Sequence, residues 1–321
     1  MTLSALSSGT RRNTNTNGYS LYATSHATIS QADVHKCRAS GTEPTARGNI
    51  FLFDFKKRSQ GVHALDIVGD FDKTTFSPMG LNIWRDTSRN LIYLFVINYP
   101  GKNTVTVEKF RFDEKRQTLN HVQTYQDPKF TSLADILVTG EDSFYFVNFY
   151  EFNWMLEFCF GIRAGNVGFY DGTRGRSILT KLGVPLGINA SPDGKYVYLT
   201  EYGGRSVNVY KRKSDNSLRL RQVVPLCLPV YIDVDVATGD LWVAADGNDY
   251  LSLKYMIPPH TSISPTLVFR LKMSEGGGAV TDVEEVYYND GRQISGACVA
   301  VHYGRHMLIG SVYHNVLLCQ V

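Results

Sequence analysis

The chain has 321 residues, 43% of them hydrophobic and 12% aromatic, a composition that supports a large buried core and excludes an intrinsically disordered protein. Its 33 basic and 30 acidic residues leave a formal charge of +3. The densest basic runs, Lys56-Lys57-Arg58 and Lys211-Arg212-Lys213, fall at expected loop tips, which argues for solvated turns and against a nucleic-acid partner.

Residues 1–16 lack an apolar core and become Asn/Thr-rich, so they read as a disordered or atypical segment and not as a secretory signal. Residues 17–321 read as one domain. Asn15-Thr16-Asn17-Gly18 is a candidate turn before the strand Tyr19 to Ala23, and Asn49 to Phe55 alternates as a strand. Phe76 to Asn98 makes a hairpin around Asp86-Thr87-Ser88-Arg89-Asn90, and Val105 to Phe110 follows as an outer strand. The purest apolar run, Leu91 to Ile97, is far shorter than the ~18 residues of a membrane-spanning helix, so no transmembrane segment is expected. Asp135 to Phe149 is the next hairpin. The aromatic strip Phe144, Tyr145, Phe146, Phe149, Tyr150, Phe152, Trp154, Phe158 and Phe160 begins there as core strand; beyond Tyr150 it reads as a helix or lid facing the core, lipid or a partner.

The clearest hairpin is Gly187 to Glu201. Pro192 pre-sets φ, Asp193 bonds its own backbone and Gly194 tolerates a positive φ, so Lys195 to Thr200 leaves as an antiparallel strand. Tyr231 to Asp246 repeats the pattern around Thr238-Gly239-Asp240, and Val299 to His314 repeats it around Gly304. The hairpins recur every ~45 to 65 residues, the spacing of propeller blades. With the N-terminal candidate they predict an all-β, six-bladed β-propeller, in which the strand from Asn17 and the strand ending at Cys319 complete one sheet.

Other chemistry is sparse. No Gly-x-Ser-x-Gly elbow occurs, and Gly187 to Lys195 has the wrong spacing for a phosphate loop. Gly276-Gly277-Gly278 reads as a flexible outer loop. His302, His306 and His314 cluster in the last hairpin and read as surface or hydrogen-bonded histidines. Asp233, Asp235, Asp240 and Asp246 are dense enough to suggest a cation, although strand alternation and turn chemistry account for most of them. The five cysteines contain no Cys-x-x-Cys pair and read as buried small hydrophobes.

Gly187 to Tyr198, Asp235 to Val243 and Leu308 to Cys319, with the weaker Phe76-Ser77-Pro78-Met79-Gly80 and Leu133-Ala134-Asp135-Ile136, resemble the paraoxonase/arylesterase family in order and spacing. The resemblance implies a six-bladed propeller with a central calcium that hydrolyses aryl esters, lactones and some organophosphates. It implies a secreted or endoplasmic-reticulum and membrane-associated setting, and, for some members, assistance to ion-channel assembly. In the family calcium polarises the scissile carbonyl while histidines at the cavity mouth activate water.

The matching positions depart from that pattern. Met79 and Tyr99 stand where the family has its two histidines. Ala134, Leu186, Val230 and Tyr231 stand at calcium-ligand positions, and no acidic residue occurs before Asp33. Asp135 is kept, and with a Leu81 carbonyl it forms a weak remnant of the second, structural metal site. Asn189, in the sequon Asn189-Ala190-Ser191, sits near the family's tunnel in a structural role. Cys319 matches a family half-cystine whose partner is missing. Two functions follow: an impaired propeller that binds a small apolar ligand or a membrane-protein partner, or a calcium-dependent arylesterase/lactonase with a divergent site using Tyr99, Asp135 and Asn189.

Overall fold

Local turn chemistry builds the inner strand pairs. In the computed structural model, which describes residues 5–7, 19–24, 48–57, 59, 61–101, 104–257, 262–312 and 316–321, Gly194 takes φ 70°. Its amide donates to the Ser191 carbonyl at 2.7 Å, and Asp193 Oδ1 accepts the Lys195 amide at 3.1 Å. The expected hairpin follows, with Ala190 opposite Val197.

The first sheet joins β1 (Ala5–Ser7), β2 (Tyr19–Thr24), β3 (Asn49–Asp54) and β4 (Val62–Ala64) in that order. The second adds β5 (Asp66–Val68), β6 (Pro78–Asp86), β7 (Leu91–Gly101), β8 (Thr104–Asp113) and β9 (Thr118–Tyr125), with β6 innermost and β5 parallel to β9 at the rim. The third contains β10 (Leu133–Val138), β11 (Phe144–Asn148), β12 (Gly165–Tyr170) and β13 (Gly175–Leu182). The fourth contains β14 (Pro185–Ala190), β15 (Tyr196–Glu201), β16 (Ser206–Arg212) and β17 (Leu218–Pro225). The fifth contains β18 (Pro229–Val234), β19 (Leu241–Asp246), β20 (Thr266–Met273) and β21 (Val280–Asn289), and the last contains β22 (Ala297–Tyr303), β23 (His306–Ser311) and β24 (Val316–Gln320). Two short helices, α1 (Trp154–Cys159) and α2 (Asp249–Met256), fill the β11–β12 and β19–β20 connections.

All five hairpins read from the sequence are the inner pairs of their sheets. The architecture is an all-β propeller, but six equal four-stranded blades are not what the chain forms. Five sheets have four or five strands and the last has three. The expected closure is also corrected: β2 is held on both edges by β1 and β3, so it is not available to β24, which among the described residues pairs only with β23. β1 falls inside the stretch 1–16 expected to be disordered or atypical; the rest of that stretch, and the turn at Asn15 to Gly18, lie outside the described residues.

Inner strands β1, β6, β10, β14, β18 and β22 lie side by side in that order, and β22 returns to β1. Strands β10, β11, β18 and β19 are buried along their whole length, because they face neighbouring sheets on both sides. The outer strands β13, β17 and β21 are mostly exposed or half-buried. Gly187 is required by the close approach of β14 to β18: a Cβ there would sit 2.7 Å from Tyr231 Cα. Gly276 to Gly278, expected as a flexible outer loop, is tied down by the Tyr198 hydroxyl, which donates to the Gly277 carbonyl at 2.8 Å.

Candidate functional site

Around the propeller axis the inner strands are stitched by side chains that reach the neighbouring backbone. Tyr99 donates its hydroxyl to the Leu133 carbonyl at 2.8 Å, and Tyr231 donates to the Ala134 carbonyl at 3.3 Å. Asp135 accepts the amide of Ile136 through Oδ1 and that of Ile188 through Oδ2, both at 2.9 Å. Asn189 accepts the Ala190 amide and donates to the Ile232 carbonyl at 3.0 Å. Met79, Tyr99, Ala134, Leu186, Val230 and Tyr231 belong to one apolar cluster. Burial pushes the Asp135 carboxyl up to about 8, although the Ile188 and Ile136 amides oppose the shift. Burial raises both tyrosine hydroxyls above their ordinary range as well, so they remain proton donors at neutral pH.

Calcium takes about 6 to 8 oxygen ligands, and the residues at the expected positions do not fit it. Ala134, Leu186 and Val230 carry no side-chain oxygen. The Tyr231 hydroxyl, both Asp135 oxygens and the Asn189 carbonyl oxygen are already committed to backbone partners. Leu81 packs its side chain in a separate cluster with Ile50, Leu94 and Phe110 and pairs with Val96 along the β6–β7 ladder. Among the described residues no group of three or more His, Cys, Asp or Glu is placed to hold a metal ion. The acidic run disperses too: Asp235 bonds His302 at 2.8 Å, Asp240 pairs with Arg270 at 2.6 Å, and Asp246 accepts hydroxyls. His302 also stacks on Trp242 at 4.4 Å, whereas His314 lies outside the described residues.

A second feature was only partly visible in the sequence. A cavity of about 50 Å³, open on one side, is lined by Phe149, Trp154, Val184, Leu186, Tyr202, Val230, Asp246, Tyr255, Met256, Gly296, Ala297 and Val312. Of the residues expected around a cavity, Met79, Tyr99, Ala134, Leu186, Asn189, Val230 and Tyr231, Leu186 and Val230 line it and the other five do not; the remaining walls come from α1, α2, β22 and the ends of β11, β14, β15, β19 and β23. α1 begins at Asn153, whose side chain accepts the Leu156 amide at 3.1 Å, and it turns Trp154 inward. The aromatic strip therefore divides: Phe144, Tyr145, Phe146 and Phe149 are core, whereas Phe152 and Phe160 are 57% and 75% exposed. Val184 holds φ 46°, a strained conformation for a β-branched residue, and such strain concentrates at ligand sites. Asp246 is the one ionised wall group; burial pushes its carboxyl up to about 6 despite the Ser252 and Tyr202 hydroxyls that bond it.

The arylesterase family model matches residues 16–321. The chain belongs to the arylesterase family. It is 32% identical to serum paraoxonase/arylesterase 2 of Gallus gallus over 283 residues, covering 87% of this chain and 78% of that one. It is similarly 31% identical to human serum paraoxonase/lactonase 3 over 283 residues, with the same coverage. Among solved structures, a luciferin-regenerating enzyme matches with TM-score 0.52 at 10% identity, over 92% of this chain and 80% of that one. The periplasmic gluconolactonase of Pseudomonas aeruginosa matches with TM-score 0.50 at 13% identity, over 91% of this chain and 74% of that one. These two likenesses show the propeller fold. No helix among the described residues is long and apolar enough to cross a membrane.

Proposed function

We propose that this chain is an arylesterase-family propeller that binds a small apolar ligand in the cavity beside its axis and has lost metal-assisted ester hydrolysis. The three-stranded sheet is read here as the sixth, reduced blade. The observation that carries the proposal is the fate of the axial oxygens. Where a metal-assisted hydrolase needs free ligands and a base, this chain has Met79, Tyr99, Ala134, Leu186, Val230 and Tyr231, and the tyrosine hydroxyls bind neighbouring carbonyls. A general base typically contributes about 10² to 10⁴-fold and a metal several kcal/mol more, so losing both leaves little catalysis. The apolar walls of the cavity persist without them.

Aryl-ester and lactone hydrolysis by the purified protein tests this reading. The rate is expected to match a heat-treated control with or without calcium, and calorimetry is expected to show no tight calcium binding. Calcium-dependent turnover abolished by chelation would overturn the reading and establish the divergent hydrolase in its place. A membrane-protein partner is a second reading, favoured by the exposed apolar rim of Phe152, Leu156, Phe160 and Ile162 around α1.

A further inference from the structure

One residue of the cavity wall, Asp246, carries a carboxylate oxygen that the described fold leaves unsatisfied. Asp246, 8% exposed, accepts the Ser252 hydroxyl at 2.6 Å and the Tyr202 hydroxyl at 3.1 Å, both through Oδ2. Its Oδ1 is buried without a hydrogen-bond partner. Both bonds come from neutral hydroxyls, so the carboxylate has no paired cation among its described contacts, and a bare buried carboxylate oxygen is costly.

Water is a poor remedy in this place. An ordered water needs about 2 to 4 polar partners. The surrounding wall is Phe149, Trp154, Val184, Leu186, Val230 and Met256, and the nearby hydroxyls of Tyr202 and Tyr255 are engaged with Ser252 and Ser311. A molecule that brings its own positive charge on an apolar body meets both demands of the wall at once. Its charge answers Oδ1, and its hydrocarbon replaces water against the aliphatic residues.

We infer that the cavity receives a protonated amine carried on an apolar group, with the ammonium against the Asp246 carboxylate and the hydrocarbon along Val184, Leu186 and Val230. The inference rests on the reading of this cavity as a ligand site, and it specifies the ligand's chemistry. An alcohol of the same shape offers Oδ1 one hydrogen bond but no charge, and a carboxylate of the same shape is repelled. The cavity of about 50 Å³ suits a small head group, with the rest of a longer ligand lying toward the open side.

The test compares n-butylamine, n-butanol and butyrate by ligand-detected NMR titration of the full chain at pH 7.5. The amine is expected to bind about tenfold or more tightly than the alcohol, the difference typical of a hydrogen bond that gains a charge. Butyrate is expected not to bind. Asp246→Asn should remove the preference for the amine, and Val230→Phe, which fills the cavity while leaving Asp246 in place, should weaken amine and alcohol together. Equal affinities of the wild-type protein for amine and alcohol would overturn this inference and leave the ligand cavity standing. Binding of neither would overturn both. An amine preference that survives Asp246→Asn, or amine binding that Val230→Phe leaves undiminished, would place the amine elsewhere and overturn the assignment.

Discussion

Asp135 spends both carboxyl oxygens on neighbouring backbone. Its carboxyl is buried between two backbone amides and is pushed up to about 8, so in the folded protein it holds its proton through the neutral range. In the unfolded chain the same group ionises near its ordinary value of 3.8. Between those values the native state binds more protons than the unfolded state, so stability falls as pH rises from about 4 to about 8, with a slope approaching 1.4 kcal/mol per pH unit. Chemical denaturation of Asp135→Asn across that window is expected to show a shallower loss than the wild type. The variant also loses one amide acceptor, at a cost of about 1 to 3 kcal/mol at every pH, so the slope and not the absolute stability is the readout. Identical slopes in the two proteins would mean that Asp135 is ionised in the fold.

The helix α2 contributes Tyr255 and Met256 to the cavity wall, and its Ser252 bonds Asp246. Asn248 caps its first turn, accepting the Leu251 amide at 2.9 Å, and the helix then buries Ser252 and Tyr255. Ser252 reaches Asp246, while Tyr255 lies so close to Gly296 that a Cβ there would come within 2.2 Å of the ring. Asn248→Ala is expected to cost about 1 kcal/mol of local stability. Hydrogen exchange should quicken at Leu251 to Tyr255, and cavity ligands should bind more weakly, with the β-sheet amides unchanged. Unaltered exchange in α2 would show that packing on Gly296, and not the cap, sets its stability. No helix was expected over these residues, because eight residues carry too little periodicity to stand out from a loop.

The inner strands β1, β6, β10, β14, β18 and β22 form one closed ring. β1 lies against both β6 and β22, so it joins the first sheet to the last without exchanging a strand between them. Deleting residues 1–7 should open that joint, lower Tm and make the three-stranded sheet the first region to gain protease sensitivity. An unchanged Tm would show that β1 contributes nothing to closure. The three-stranded sheet depends on its neighbours because its outer strand β24 is only half-buried or exposed and, among the described residues, pairs along one edge alone.

The hairpins and the all-β class were determined by the sequence alone, because each rests on local turn geometry. The tertiary structure decided how the sheets close, where the tyrosine hydroxyls point and that the oxygens of Asp135 are already spent. It also assembled the cavity, whose walls run from Phe149 to Val312 across several sheets. Asp246 marks the boundary between the two. Its place at the end of a hairpin was readable, but its burial, its two hydroxyl partners and its unpaired oxygen arise from residues far away in the chain, and only packing brings them together.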